Sequence, residues 1–285
     1  MRNKQHLSHL LEINLAMLFI STSGALGRYV QLPVPVTIAT RGVLAFFLLF
    51  LFCRWKGISL HIRSGDRFMV LLSGVLMCLH WLTYFYALQM SNVALGMLSL
   101  FTYPVITAFL EPLILKTKFQ RIHVLLGILV LCGLYFLTPD LDFGNSKTLA
   151  LVLGVTSALF YALRNIILKS KAASYHGSML MVYQTGIIGF LLLPAFFFID
   201  GQTLLSQWEG IIALAVLTTA IGHTLFLTTF KHFSMTSVSI ISSIQPIYGI
   251  LIGAIFLSEI PTVATIIGGT FILGSVVIES IRTSR

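Results

Sequence analysis

Stretches of about twenty apolar residues, separated by short polar breaks, leave this chain little choice of fold. Ten of them run at 10–30, 34–53, 68–88, 92–114, 119–138, 148–168, 178–199, 209–230, 236–257 and 261–281. About twenty residues is the length of an α-helix that crosses the hydrocarbon core of a bilayer. No water is available there, so backbone N–H and C=O groups must pair within the segment, which a helix does. The longest break, Arg54 to Arg67, has fourteen residues and cannot hold a separate domain. Only 9% of the 285 residues are charged and 57% are hydrophobic, whereas soluble domains carry roughly 25% charged residues. The expectation is an all-α membrane protein of ten transmembrane helices. Leu10 to Val30 has spanning length and carries Arg28 where a signal peptide would need small residues, so it is expected to stay as the first helix.

The net charge of +9 is concentrated in the breaks. With the N-terminus in the cytoplasm, fourteen of the eighteen Lys and Arg fall on that side: Arg2, Lys4, Arg54, Lys56, Arg63, Arg67, Lys116, Lys118, Arg121, Lys169, Lys171, Lys231, Arg282 and Arg285. Lys147 alone falls on the other side, with Asp140, Asp142, Asp200 and Glu209, and Arg28, Arg41 and Arg164 lie inside spans. Such an imbalance sets the orientation of a multi-pass protein of the bacterial inner (cytoplasmic) membrane, with both termini cytoplasmic. No basic stripe interleaved with aromatics exists, so no nucleic acid is expected as a partner. Cys53, Cys78 and Cys132 are odd in number and far apart, which predicts neither a disulfide framework nor a metal site. There is no H-E-x-x-H, G-x-S-x-G or G-x4-G-K-[ST], no paired intramembrane aspartate and no mid-span lysine. Enzyme chemistry, ATP hydrolysis and a bound cofactor are therefore not expected.

The chain also repeats itself. Residues 81–133 resemble residues 223–275 at an offset of 142, with Pro104 against Pro246 and Gly127 against Gly269. A division at 1–143 and 144–285 gives two halves of five spans each. Five is odd, so the second half enters the membrane inverted. Two inverted halves can exchange an outward-open for an inward-open shape.

Several local motifs converge on one family. Ser23–Gly24 stands in the first span, and Pro35 precedes Arg41 as P-x5-R. Trp81, Phe85, Tyr86, Ala87 and Leu88 form W-x3-F-Y-A-L, and Thr102-Tyr103-Pro104 follows in the fourth span. The second half has Tyr161–Ala162, Gln245–Pro246, Ser258–Glu259 and Gly268–Gly269. Over nearly its whole length the chain resembles the drug/metabolite transporter (DMT) superfamily, and within it the EamA-type permeases. One departure is that the glutamate spacing of the second half lands on Thr117 in the first, where Glu111–Pro112 stands instead. The resemblance implies a ten-helix fold around a central cavity and transport driven by a gradient. The expected function is secondary active transport of a small metabolite, an amino acid or similar polar or amphipathic compound, by alternating access and in the export direction. Uptake of a vitamin or nucleotide-like metabolite is the alternative, and a passive channel is the alternative of another class. The expected partners are the solute, membrane lipid and protons as a coupling ion, with the chain a monomer or homodimer.

Arg41, about seven residues into its span, is the sharpest candidate for a site. It serves either as an anchor for a carboxylate or phosphate of the substrate or as a structural ion pair or helix-end contact. Trp81, Tyr84, Tyr103, Tyr161, Asn165, Gln184 and Gln245 are candidates for the few polar groups of a mostly apolar binding pocket. His80, His223 and Glu111 are candidates for coupling or gating, since histidine changes charge near neutral pH. Glu259 is expected to stabilise the start of the tenth span, before Pro261. Arg28, Arg164, Glu12 and Glu279 are expected to snorkel from span ends. Gly249-x3-Gly253 fits close helix packing.

Overall fold

A computed structural model describes residues 2–116, 119–138, 142–169, 174–229, 232 and 242–283, without the side chains of 2–8, 115, 279, 280, 282 and 283. Thr117, Lys118, Asp140, Lys171, Lys231, Arg285 and the first residues of the expected ninth span lie outside the described residues, as do the side chains of Arg2, Lys4, Glu279 and Arg282. The described residues are helical throughout, with no strand. The helices are α1 (Arg2–Tyr29), α2 (Val34–Trp55), α3 (Arg67–Met90), α4 (Val93–Leu100), α5 (Tyr103–Leu115), α6 (Ile122–Leu137), α7 (Ser146–Lys169) and α8 (Gly177–Leu191). There follow α9 (Gly201–Leu205), α10 (Trp208–Ala213), α11 (Thr224–Thr229), α12 (Gln245–Leu257) and α13 (Val263–Thr283). Among the described residues six segments are long and apolar enough to cross a membrane, and four shorter apolar helices occur at Ile122–Leu137, Gly177–Leu191, Gln245–Leu257 and Val263–Ile278.

Large apolar side chains cover the outside. On α2, Phe47, Leu48, Leu51 and Phe52 point outward, whereas Val34, Ile38, Arg41, Ala45 and Leu49 form a buried stripe at helical spacing. On α6, Val124, Leu125, Ile128, Leu131 and Tyr135 are exposed. A surface this apolar requires lipid as its solvent.

Three expected spans are not single regular helices. In the fourth, Pro104 cannot donate to the preceding turn, so the chain breaks at Phe101–Thr102 between α4 and α5. The seventh stops at Leu191, and a 3-10 turn at Leu193–Phe198 follows around Pro194. In the eighth, a π-helix at Leu214–His223 separates α10 from α11. Such wide turns are frequent at functional sites.

The main packing pairs are α3 with α7, α2 with α8, α6 with α13, α1 with α12 and α1 with the π-helix. Helix α7 packs on α4 and α5, and α4 packs on α12. Exchanging each expected span for the one five further along maps this set onto itself. The third-with-sixth pair becomes eighth-with-first, and first-with-ninth becomes sixth-with-fourth.

Both ends of the bundle are tied shut. At the end where α1 finishes, Arg28 Nε donates to Glu259 Oε1 at 2.9 Å, and Glu259 Oε2 accepts from the Val93 backbone N–H at 2.7 Å. Glu259 therefore caps α4, not the tenth span, because its αL neighbour Ser258 ends α12 and turns the chain towards α4. Arg28 is correspondingly no snorkelling residue: its Nη1 also donates to the Gln89 carbonyl at 3.1 Å. At the end where α1 begins, Lys169 pairs with Glu111, and Thr228 Oγ1 donates to Glu12 at 3.2 Å. There Tyr183 Oη donates to the Leu60 carbonyl and Tyr175 Oη to Asp66 Oδ2, both at 2.6 Å.

The hydrogen bond to the Asp66 carboxylate holds the Tyr175 hydroxyl above the ordinary tyrosine range, since losing the proton would set two negative charges together. A raised value means that the contribution to stability is fully present below the ordinary value of about 10 and is lost as pH rises through the raised one. Tyr175→Phe is expected to cost about 1 kcal/mol at neutral pH, read as a small drop in Tm in detergent. The gap from the unmodified protein should close as pH is raised past about 10; a gap independent of pH would refute the assignment.

Candidate functional site

The inward stripe of α2 carries Arg41 to the middle of the bundle, where it is fully buried. Its Nε donates to Thr219 Oγ1 at 2.7 Å. Its guanidinium carbon lies over the Trp81 ring at 3.8 Å and within 5.4 Å of the Phe85 ring, a cation–π contact. Nη1 and Nη2 have no hydrogen-bond partner among the described residues. The π-helix presents Thr219 to Arg41 and His223 to the Trp81 ring, at 5.6 Å.

The inward stripe of α3 holds Met77, His80, Trp81, Tyr84 and Leu88, all buried. His80 Nδ1 lies 2.7 Å from Ser157 Oγ, and that hydroxyl donates to the His80 carbonyl at 2.8 Å. A carbonyl only accepts, so the serine proton goes there and Nδ1 must be the protonated nitrogen, with Nε2 left for other partners. The His80 ring stacks on Tyr161 at 4.6 Å, and Tyr103 meets Tyr161 edge-on at 5.0 Å.

These groups surround a small cavity lined by residues including Arg41, His80, Trp81, Tyr84, Tyr103, Tyr161, His223 and Gln245. Eight of the eleven residues singled out in the sequence thus meet at one place. The space open at its centre is about 20 Å³, room for one water and not for a metabolite. Phe101 and Gln245 bring the break between α4 and α5 and the start of α12 against the same space. Ile20, Ser23, Leu100 and Phe101 also line it and were not singled out by the sequence. Ser23 had a signal in the Ser23–Gly24 motif; the apolar three had none.

Asn165, Gln184 and Glu111 do not line the cavity. Asn165 and Gln184 instead hold Arg164, whose Nη1 donates to Asn165 Oδ1 at 2.9 Å and Nη2 to Gln184 Oε1 at 2.8 Å. Gln184 Nε2 in turn donates to Ser73 Oγ at 3.3 Å. Arg164 is therefore not a snorkelling residue: it is fully buried, because the face of α7 that bears it is covered by α3. Glu111 lies at the bundle end with Lys169. Among the described residues no His/Cys/Asp/Glu group could hold a metal ion.

The EamA-like transporter family model matches residues 8–138 and again residues 148–281. The pseudopaline exporter CntI of two strains of Pseudomonas aeruginosa is 25% identical over 244 residues, covering 85% of this chain and 84% of the exporter. A protein of Archaeoglobus fulgidus named as an uncharacterized transporter is 30% identical over 201 residues, covering 69% of this chain and 70% of its own. A solved crystal structure superposes with a TM-score of 0.69 over 98% of this chain and 99% of that one, at 15% identity, which shows a shared fold. The chain is therefore a multi-pass inner-membrane transporter, and it belongs to the EamA-like transporter family of the DMT superfamily.

Proposed function

We propose that the protein is a secondary active transporter that carries a small polar or amphipathic metabolite out of the cell by alternating access. The observation that carries this reading is the small central cavity between two ends cross-linked by hydrogen bonds, lined from both halves of the chain. In this reading the chain has ten spans with both termini cytoplasmic, and residues 1–143 and 144–285 are inverted repeats. Three features support the repeat. The family model matches twice. The packing pairs are unchanged by exchanging the halves. Helices α5 and α12 start and stop at the same offset and both end on a left-handed residue, Lys116 and Ser258. Interrupted helices at a repeat interface are where transporters of this kind place their substrate.

Arg41, Trp81, Tyr84, Tyr103, Tyr161 and Gln245 would contact the solute, while Asn165 and Gln184 position Arg164. His80 and His223 face the same space and are the groups through which protons would couple. Glu111 with Lys169 would close the cytoplasmic end and Glu259 with Arg28 the outer one. The named exporter among the relatives supports the outward direction.

Purified protein in liposomes should exchange a labelled solute with saturation and trans-stimulation. Flux that rises without saturation would favour a channel, and no saturable flux across a broad metabolite panel would sink the carrier reading. An imposed pH gradient should drive uphill accumulation; a flux indifferent to that gradient would remove the proton coupling.

A further inference from the structure

Among the described residues no acid answers the two arginines in the middle of the bundle. The chain has nine Asp and Glu residues. Glu12, Asp66 and Glu111 bond Thr228, Tyr175 and Lys169 at one end, and Glu259 bonds Arg28 at the other. Asp200 caps the short α9 and Glu209 lies in the first turn of α10. Asp142 bonds the Gly144 N–H before α7. Among the described residues no carboxylate pairs with Arg41 or Arg164.

The Arg41 guanidinium is held by Thr219 at Nε and by the Trp81 ring across its face. What remains is the edge bearing Nη1 and Nη2, buried and unpartnered, on a residue that lines the cavity. Two N–H groups along one edge of a planar cation form the fork that a carboxylate or phosphate fills with two parallel hydrogen bonds. Arg164 stands behind the cavity wall, 5.9 Å from the Tyr161 ring. Its Nη groups are bonded to neutral amides, so its charge is solvated but not cancelled. A low-dielectric space with two positive charges and, among the described residues, no negative one repels ammonium groups. It therefore disfavours the aromatic-cage mode in which such a ring cluster would hold a cation.

Resting on the transport reading above, we infer that the carried solute is an organic anion whose carboxylate or phosphate seats on the Nη1–Nη2 edge of Arg41. Arg164 adds attraction from behind Tyr161. An amine or a neutral analogue of the same shape is a poor solute.

The test is counterflow in proteoliposomes with a labelled panel of monocarboxylates, dicarboxylates and phosphate monoesters, each paired with its neutral amide or ester, plus matched amines. The unmodified protein should exchange anions and discriminate at least about tenfold against their neutral counterparts; which anion class exchanges separates carboxylate from phosphate. Arg41→Gln should lower kcat/KM for the anion by about thirtyfold or more. Arg41→Lys should restore part of it as a point charge without the fork. Should the Arg41 variants not fold, the anion-against-amide comparison in the unmodified protein decides alone. Saturable exchange of amines or neutral solutes, equal to that of anions, overturns the inference and leaves the carrier reading standing. Absence of saturable exchange for every solute overturns both.

Discussion

Two alanine substitutions on the same helix are expected to move stability in opposite directions: Gly268→Ala down, Gly274→Ala up or unchanged. Helices α6 and α13 touch backbone to backbone at Gly133 and Gly268. A Cβ on Gly268 would stand 2.7 Å from the Gly133 carbonyl oxygen, and one on Gly133 would stand 2.8 Å from the Gly268 carbonyl oxygen. A backbone atom cannot rotate away, so the helices must part, and the Phe136–Phe271 stack beside the contact must open with them. Lipid supplies no hydrophobic drive to hold membrane helices together; close approach through small residues does. Overpacking of this kind costs about 1–3 kcal/mol, and a rigid backbone obstacle puts Gly268→Ala at the upper end, a fall of roughly 5–10 °C in Tm. At Gly274 a Cβ meets nothing within 4 Å. Only the helix propensity changes there, worth up to about 1 kcal/mol in favour of alanine. Thermal unfolding of both variants in the same detergent checks the pair, and equal shifts would show that α6 and α13 do not meet where described.

Glu259→Ala is expected to cost about 2–3 kcal/mol and to open the end of the bundle it closes. The change removes the acceptor of the Val93 N–H at the start of α4, worth about 1 kcal/mol, while Asn92 still caps the helix through Leu95. It also strips a half-buried arginine of its carboxylate, which adds a comparable amount where solvent still screens the charge. Arg28 retains only the Gln89 carbonyl. Glu259→Gln keeps one acceptor oxygen and should recover about half of the loss. Besides a lower Tm, the alanine variant should label faster with a membrane-impermeant maleimide at Ser91→Cys, beside the broken contact. Unchanged labelling with a lowered Tm would mean that the ion pair holds the fold but does not close the cavity.

The spans were legible because their cause is local. A stretch of twenty apolar residues satisfies its own backbone in lipid whatever surrounds it. The sequence read 92–114 as one span and did not mark the break at Phe101–Thr102, although Pro104 lacks its N–H in any environment. Arg41 was legible by depth: a charge so far into a span must face inward. Its alternatives, anchor or structural pair, were not separable in the sequence, because that depends on whether an acid stands opposite.

Arg164 was misread for the converse reason. Its position near the end of a span permits snorkelling, and only the packing of α3 against α7 closes the route to water. Asn165 and Gln184 carried the right polarity for a pocket, yet their partners are the nitrogens of Arg164. Glu259 lies two residues before Pro261 and reads as a start signal for the next helix. The left-handed turn at Ser258 instead sends it 166 residues back along the chain to Val93. The π-helix that delivers Thr219 to Arg41 had no local signal, since its wide turn is held by tertiary contact with α1 and α2.

The sequence by itself determined which stretches are apolar and helical, because solvation and backbone hydrogen bonding act residue by residue. Which faces meet, which arginine nitrogens find a partner and which are buried without one were decided by tertiary structure alone. Helices apolar on nearly every side do not record which side faces a neighbour.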